Sequence, residues 1–146
     1  MSNVFAFAPE IPEAPRNFQA EQALLGALLV NNKALEQVIE FLEPHHFSEK
    51  VHGDIYCAIR TMIMKGRIAD PISLGQYFTQ SQIDIANENY LKDLVNSVIT
   101  VVNPRDYGTL IYEAFLRREL IDLGEVVIHE ARDARIDKPV NCTIEE

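Results

Sequence analysis

His45, His46 and His52 stand close together and are the first residues in this sequence that could do chemistry. Histidine is the commonest metal ligand and the side chain whose charge changes near neutral pH. The spacing argues against both uses. Adjacent His45 and His46 point in different directions in any regular backbone, neither Cys57 nor Cys142 stands at zinc-site spacing, and no His-Glu-x-x-His occurs. The pair therefore reads as surface or turn-capping groups, and His52 as a helix-flank residue that packs or hydrogen-bonds locally. The carboxylate pairs Glu36/Glu40 and Asp84/Glu88 have the residue types for acid–base work, but an amphipathic helix and a polar loop make them solvated faces. Gly26, Gly53, Gly66, Gly75, Gly108 and Gly124 are scattered and none precedes a lysine, so no P-loop can cradle a phosphate. Gly-x-Gly-x-x-Gly and Gly-x-Ser-x-Gly are also absent. No catalytic, cofactor-binding or metal-binding residue is expected. Arg117-Arg118 has two open readings: contact with a phosphate or a partner carboxylate, or pairing with Glu113 or Asp122 on its own helix.

The elements that carry these residues are helical. Residues 1–16 hold Pro9, Pro12 and Pro15 and a small apolar patch, Val4-Phe5-Ala6-Phe7-Ala8, and read as a flexible extended leader rather than a secretory signal. Residues 17–102 read as a helical bundle. Its first helix runs from Asn17 or Phe18 to Val30 with Phe18, Leu24, Leu25, Leu28 and Leu29 as a wide apolar face, and Gly26 inside it lets another helix approach closely. Asn32 is expected to cap a second helix, Lys33 to Leu42, ended by Pro44, after which Phe47 plugs the core. Ser48 is expected to cap a third, Glu49 to Lys65, with Val51, Ile55, Ala58, Ile59, Met62 and Ile63 as its stripe, Cys57 on this core helix, and Gly66 as its stop. The Ser73-to-Gln76 capping-box spacing opens a short helix through Phe78, and a polar loop leads to a helix from Tyr90 to Ser97. Ile99-Thr100-Val101-Val102 is the one β-like run and has no strand to pair with.

Residues 103–135 read as one long helix capped by Asn103, with Pro104 at its first position. Tyr107, Leu110, Ile111, Ala114 and Phe115 form one apolar stripe, which should close the bundle core. Leu116, Leu120, Leu123, Val127 and Ala131, with Ile121 and Ile128 alongside, form another rotated around the axis. A stripe that changes face implies one end packed on its own domain and the other on something else. Leu116, Arg117, Leu120, Leu123, Val127, Ile128 and Ala131 are therefore the candidate dimer or partner interface. Residues 136–146 read as a linker in which Thr143-x-x-Glu146 has the spacing of a capping box, as if a further helix starts there. The fold class is all-α: a bundle of about five or six helices ending in a long helix that begins a helical hairpin.

The net charge of −9, with 22 Asp and Glu against 13 Lys and Arg, disfavours direct nucleic-acid binding, which rests on neutralising phosphates. No apolar run approaches the roughly 20 residues of a membrane span. Two cysteines, one on a core helix and one in the tail, make a disulfide improbable and the cytoplasm the default compartment.

Several of these segments, in order, resemble the N-terminal domain of the replicative DNA helicase of the DnaB type. The resemblance opens at Ala20-Glu21-Gln22-Ala23-Leu24-Leu25-Gly26-Ala27-Leu28-Leu29 and continues through Leu42-x-Pro44-x-x-Phe47, His52-x-x-Ile55-Tyr56, Asp70-x-x-Ser73-Leu74 and Tyr90-Leu91-x-x-Leu94. It ends with Asn103-x-x-x-Tyr107 and Arg117-Arg118-x-Leu120-Ile121. The departures are Asp84 to Asn89, where the family carries a glycine-rich turn, and Pro71 beside the Ser73 cap. The resemblance implies that ATP and magnesium belong to a RecA-like C-terminal domain beyond this sequence, and that this chain by itself is not an enzyme. It further implies a hairpin that pairs domains into dimers, three dimers forming the collar of a hexameric ring, docking of primase, and contact with a helicase loader or initiator. The alternatives are a free-standing helical adaptor that binds a replication helicase or primase, and a small enzyme with an unrecognised site.

Overall fold

A computed structural model of the protein describes residues 13–80, 88–98 and 103–133. Among them run five α-helices: α1 (Phe18–Val30), α2 (Lys50–Met64), α3 (Pro71–Gln80), α4 (Glu88–Asn96) and α5 (Pro104–Arg132). Two 3₁₀ segments, Asn32–Gln37 and Pro44–His46, link α1 to α2, and no strand occurs among the described residues. No described helix is long and apolar enough to cross a membrane. The chain divides into two compact units, Arg16–Leu116 and Met1–Pro15 with Arg117–Glu146, and the division falls inside α5. The β-like run at 99–102 and the capping-box spacing at 143–146 lie outside the described residues.

In the Arg16–Leu116 unit α1 is the central element. Asn17 caps it, its side-chain oxygen accepting from the Ala20 amide at 2.9 Å. Its apolar residues do not form a stripe. Ala20, Leu24, Leu25, Ala27, Leu28 and Leu29 are all buried, because α2 and α4 both pack on it. Gly26 permits the α4 contact. A Cβ there would run into the Leu94 carbonyl oxygen and come within 2.7 Å of Val98 Cγ2. Gly26→Ala should therefore destabilise the fold by about 1–3 kcal/mol, even though alanine is intrinsically the better helix former by ~1 kcal/mol. A melting temperature equal to or above wild type would show that α4 can retreat without loss.

The core continues through Leu35, Val38, Leu42, Phe47, Ile55, Tyr56, Ile59, Leu74, Phe78, Leu91, Leu94 and Ile111. Phe47 is buried against the Tyr56 ring with centroids 5.1 Å apart, as its position after the Pro44 turn implies. The Tyr56 hydroxyl donates to the Leu42 carbonyl at 2.9 Å, and burial pushes its pKa up to about 12. Gly66, at φ 76°, ends α2.

Local structure departs from the sequence reading at several points. Residues 33–42 form no α-helix. Asn31, not Asn32, caps a 3₁₀ segment by accepting from the Lys33 amide, and turns follow to Leu42. β-branched Val38 and Ile39 lower the segment's helix propensity, and the tighter turns still send Ala34, Leu35, Val38 and Leu42 inward. Asn32 instead ties two segments together. Its amide donates to the Leu28 and Ala69 carbonyls, and its oxygen accepts from the Ala69 amide, each at 2.9 Å. Ser48 does not cap α2, because its hydroxyl and amide are both turned to Glu21. α2 starts at Lys50 with no side-chain cap. α3 starts at Pro71, with Asp70 accepting from the Ser73 amide at 2.8 Å, so the stronger cap lies three residues ahead of the Ser73 box. Cys57, on α2, is an exposed free thiol.

Candidate partner interface

α5 is 29 residues long, about 44 Å at 1.5 Å per residue, and Asn103 opens it by accepting from the Arg105 amide at 3.1 Å. It is continuous through Gly124. In its first half Pro104, Gly108 and Ile111 are buried, with Gly108 set against Val38 and Phe41. Tyr112 meets Phe41 edge-on at 6.2 Å and His46 at 4.9 Å, and Phe115 packs on His46 at 4.5 Å. His46 is thus no surface group. It is buried, and its Nδ1 accepts from the Glu43 amide at 2.9 Å, the capping half of the expected role. His45 is exposed.

Leu110 does not belong to the core-facing stripe: it is 42% exposed. At about 100° per residue it falls in line with Ile121 and Ile128, well round from Ile111. Beyond Arg118 the side of the helix that Ile111 occupies carries Asp122, Glu125 and His129. Apolar residues move to the other side. Leu116, Leu120, Leu123 and Val127 fall within about 60° of one another, and Ile121 and Ile128 form a second row roughly 110° round from them. All of these are exposed, Leu120 at 66%, Leu123 at 59% and Val127 at 46%, as are Val126, Arg117 and Ala131. Monomeric proteins rarely show so many large apolar groups on one element without a partner for it. Arg117 and Arg118 diverge: Arg118 is partly buried, and its Nη1 donates to the Pro15 carbonyl at 2.8 Å.

The polar cluster that sequence reasoning missed lies inside the Arg16–Leu116 unit. Glu21, 1% exposed on α1, accepts through Oε2 from the Ser48 amide at 2.9 Å and the Ser48 hydroxyl at 2.6 Å. Its Oε1 accepts from the Glu49 amide at 3.4 Å and faces His52 Nδ1 at 2.9 Å. Burial pushes the Glu21 carboxyl up, but the bonds from His52, Ser48 and the Ser48 and Glu49 amides outweigh it and hold its pKa below the ordinary value. With an ionised carboxylate as acceptor, His52 Nδ1 carries the donated proton, and its Nε2 stands 2.6 Å from the Tyr90 hydroxyl on α4. His52 therefore bonds across three helices, not locally. The signal available in the sequence was Glu21 in register with Leu24, Leu25 and Leu28, which puts a carboxylate on a buried face and demands a partner there. No buried side-chain polar atom is left without a partner among the described residues, so the arrangement works as a clasp.

Glu36 and Glu40 are exposed, and Glu88 pairs with Lys92 at 2.7 Å. Among the described residues no three His, Cys, Asp or Glu side chains are placed to hold a metal ion. The P-loop pattern does not occur in the sequence.

Residues 13–113 match the family model described as the DnaB-like helicase N-terminal domain. The chain is 44% identical over 124 residues to the replicative DNA helicase DnaB of Rickettsia prowazekii, covering 84% of this chain and 26% of that protein. It is 31% identical over 118 residues to the replicative DNA helicase DnaC of Bacillus subtilis, covering 80% of this chain and 26% of the relative. The chain thus spans about a quarter of the length of the curated relatives it matches. Among solved structures, the N-terminal domain of DnaB helicase from Mycobacterium tuberculosis superposes with a TM-score of 0.79 at 27% identity, over 84% of this chain and 90% of that one. The structure of a DnaB-like replicative helicase and its interactions with primase superposes with a TM-score of 0.67 at 26% identity, over 77% and 27% of the two chains.

Proposed function

The chain belongs to the DnaB-like helicase N-terminal domain family, and from that membership we propose that it is the non-catalytic N-terminal domain of a hexameric replicative helicase. Its work in DNA replication is assembly. Copies pair through α5, pairs build a collar on the ring, and the collar docks primase and a helicase loader or initiator. ATP and magnesium act in a RecA-like domain outside this sequence, and this chain makes no productive contact with DNA. The observation that carries the reading is the exposed apolar row Leu116, Leu120, Leu123 and Val127 on a helix whose other end is sunk in the core. A related helicase has been described with its interactions with primase, which supports the docking role.

A row of leucines and valine at i, i+4, i+7 and i+11 suits packing against another helix. Charged neighbours Arg117 and Glu119 flanking the row would set the register of that packing.

The test is sedimentation of this chain alone and of a version extended by about 30 residues, enough for a second hairpin helix at 1.5 Å per residue, each with and without primase. The extended form should dimerise and co-sediment with primase. An extended form that stays monomeric and ignores primase at tens of micromolar would defeat the assembly role.

A further inference from the structure

The second apolar row of α5, Ile121 and Ile128, is distinct from the row assigned above to another copy, and an occupant for it lies in this chain. We propose that the N-terminal leader crosses α5 as an intramolecular strap and lays Val4-Phe5-Ala6-Phe7-Ala8 over Ile121 and Ile128. Arg118 marks where the leader meets the helix. Its guanidinium holds the carbonyl of Pro15, 103 residues away in sequence, at 2.8 Å. Pro15, the described end of the leader, and Arg118 belong to the same compact unit.

The helix geometry selects the row. At about 100° per residue, Ile121 and Ile128 lie roughly 60–80° round from Arg118, whereas Leu120, Leu123 and Val127 lie about 140–180° away. Both isoleucines are exposed, at 45% and 52%. Reach is sufficient. Pro9, Pro12 and Pro15 favour an extended polyproline-type path of about 3.1 Å per residue, so Pro15 to Phe7 spans roughly 25 Å. Arg118 to Ile128 is only about 15 Å along the helix at 1.5 Å per residue. In an extended segment Phe5 and Phe7 point to the same side about 6.6 Å apart, and Ile121 and Ile128 are separated by roughly 10 Å.

Charge fits as well. The leader carries Glu10 and Glu13 and no basic residue before Arg16, while Arg117 and Arg118 stand at the near end of the isoleucine row. Proline already restricts the leader's freedom in the unbound chain, which lowers the entropy lost on docking. α5 would then have each apolar row assigned: one to another copy, one to its own leader.

The experiment places a nitroxide at position 4 of the full 146-residue chain, as Val4→Cys in a Cys57→Ser/Cys142→Ser background, and reads isoleucine and leucine methyl intensities. Ile121 and Ile128 should lose most of their intensity and Leu120 and Leu123 much less. The proposal is overturned by three results: no broadening on α5, broadening centred on the leucine row, or broadening only when nitroxide and isotope sit on different chains, which would make the occupant a second copy. As an independent reading, Phe5→Ser/Phe7→Ser should speed amide exchange across residues 119–130 by about tenfold while leaving α1 and α2 amides unchanged, and unchanged exchange there would count against the strap. Because the readout is contact within one chain, its failure is separable from failure of self-association.

Discussion

Replacing Glu21 with alanine should bring the Arg16–Leu116 unit close to unfolding. The carboxylate accepts from the Ser48 hydroxyl and amide, the Glu49 amide and His52 Nδ1, and both Glu21 and His52 are essentially without solvent exposure. Alanine leaves those donors buried with no acceptor. Breaking a buried hydrogen-bonded pair from one side costs about 3–5 kcal/mol. A domain's whole stability is only about 5–15 kcal/mol. The melting temperature should therefore fall by about 10–20 °C. Glu21→Gln keeps one acceptor and loses the charge, so a smaller loss of about 1.5–3 kcal/mol is expected at neutral pH.

The pH dependence distinguishes charge from packing. The Glu21 carboxyl is held below its ordinary value of 4.5 in the folded protein. The unfolded chain therefore takes up the proton first as pH falls. The stability contributed by the ionised carboxylate is fully present above about 4.5 and is lost as pH drops through the lower folded-state value. The gap between wild type and Glu21→Gln, measured by urea unfolding, should accordingly be widest near neutral pH and narrow below that point. An unchanged gap between neutral and strongly acid pH would show that the carboxylate's charge contributes nothing to the clasp.

The second large effect is on assembly. The double variant Leu120→Asp/Val127→Asp should leave folding almost untouched, because both side chains are exposed, at 66% and 46%, and surface changes of this kind usually stay within about 0.5 kcal/mol. Self-association should weaken far more. Residues central to an interface are worth about 2 kcal/mol or more each, and in a symmetric pair each substitution occurs twice. At 1.4 kcal/mol per tenfold, a dimer of the hairpin-extended chain should weaken by at least a hundredfold, or about 2.8 kcal/mol. Sedimentation velocity across a concentration series, with circular dichroism on the same samples, reads both quantities. Equal sedimentation of variant and wild type at every concentration would move the contact off this row.

The elements with strong local signals could be read from the sequence. α1 runs from Phe18 to Val30 behind Asn17, and α5 starts at Pro104 behind Asn103, because cap, proline and apolar spacing act within one helical turn. Segments whose form depends on distant partners could not. Asn31 and Asn32 look alike as caps, and only the Ala69 backbone decides that Asn32 becomes a bridge. Ser48 has the type of an N-cap, and the Glu21 carboxylate takes its hydroxyl for another use. At Asp70-Pro71 and Ser73 two local signals compete, and the earlier, stronger cap prevails.

The candidate interface divides in the same way. The sequence by itself determined that this chain is an all-helical member of its family without the phosphate-binding glycine loop, and that its long helix carries apolar residues on more than one face. Periodicity is a local property of the chain, so it is visible there. Only the tertiary structure decided which of those faces the protein's own core consumes. Ile111 is buried, Gly108 is set against Val38 and Phe41, and Phe115 packs on His46, whereas Leu110, one position from Ile111, is left outside with Ile121 and Ile128. Only the tertiary structure, too, turned an acidic residue on α1 and a histidine on α2 into one buried clasp closed by Tyr90. Burial is a property of what the rest of the chain places opposite a residue, and spacing along a single helix does not contain it.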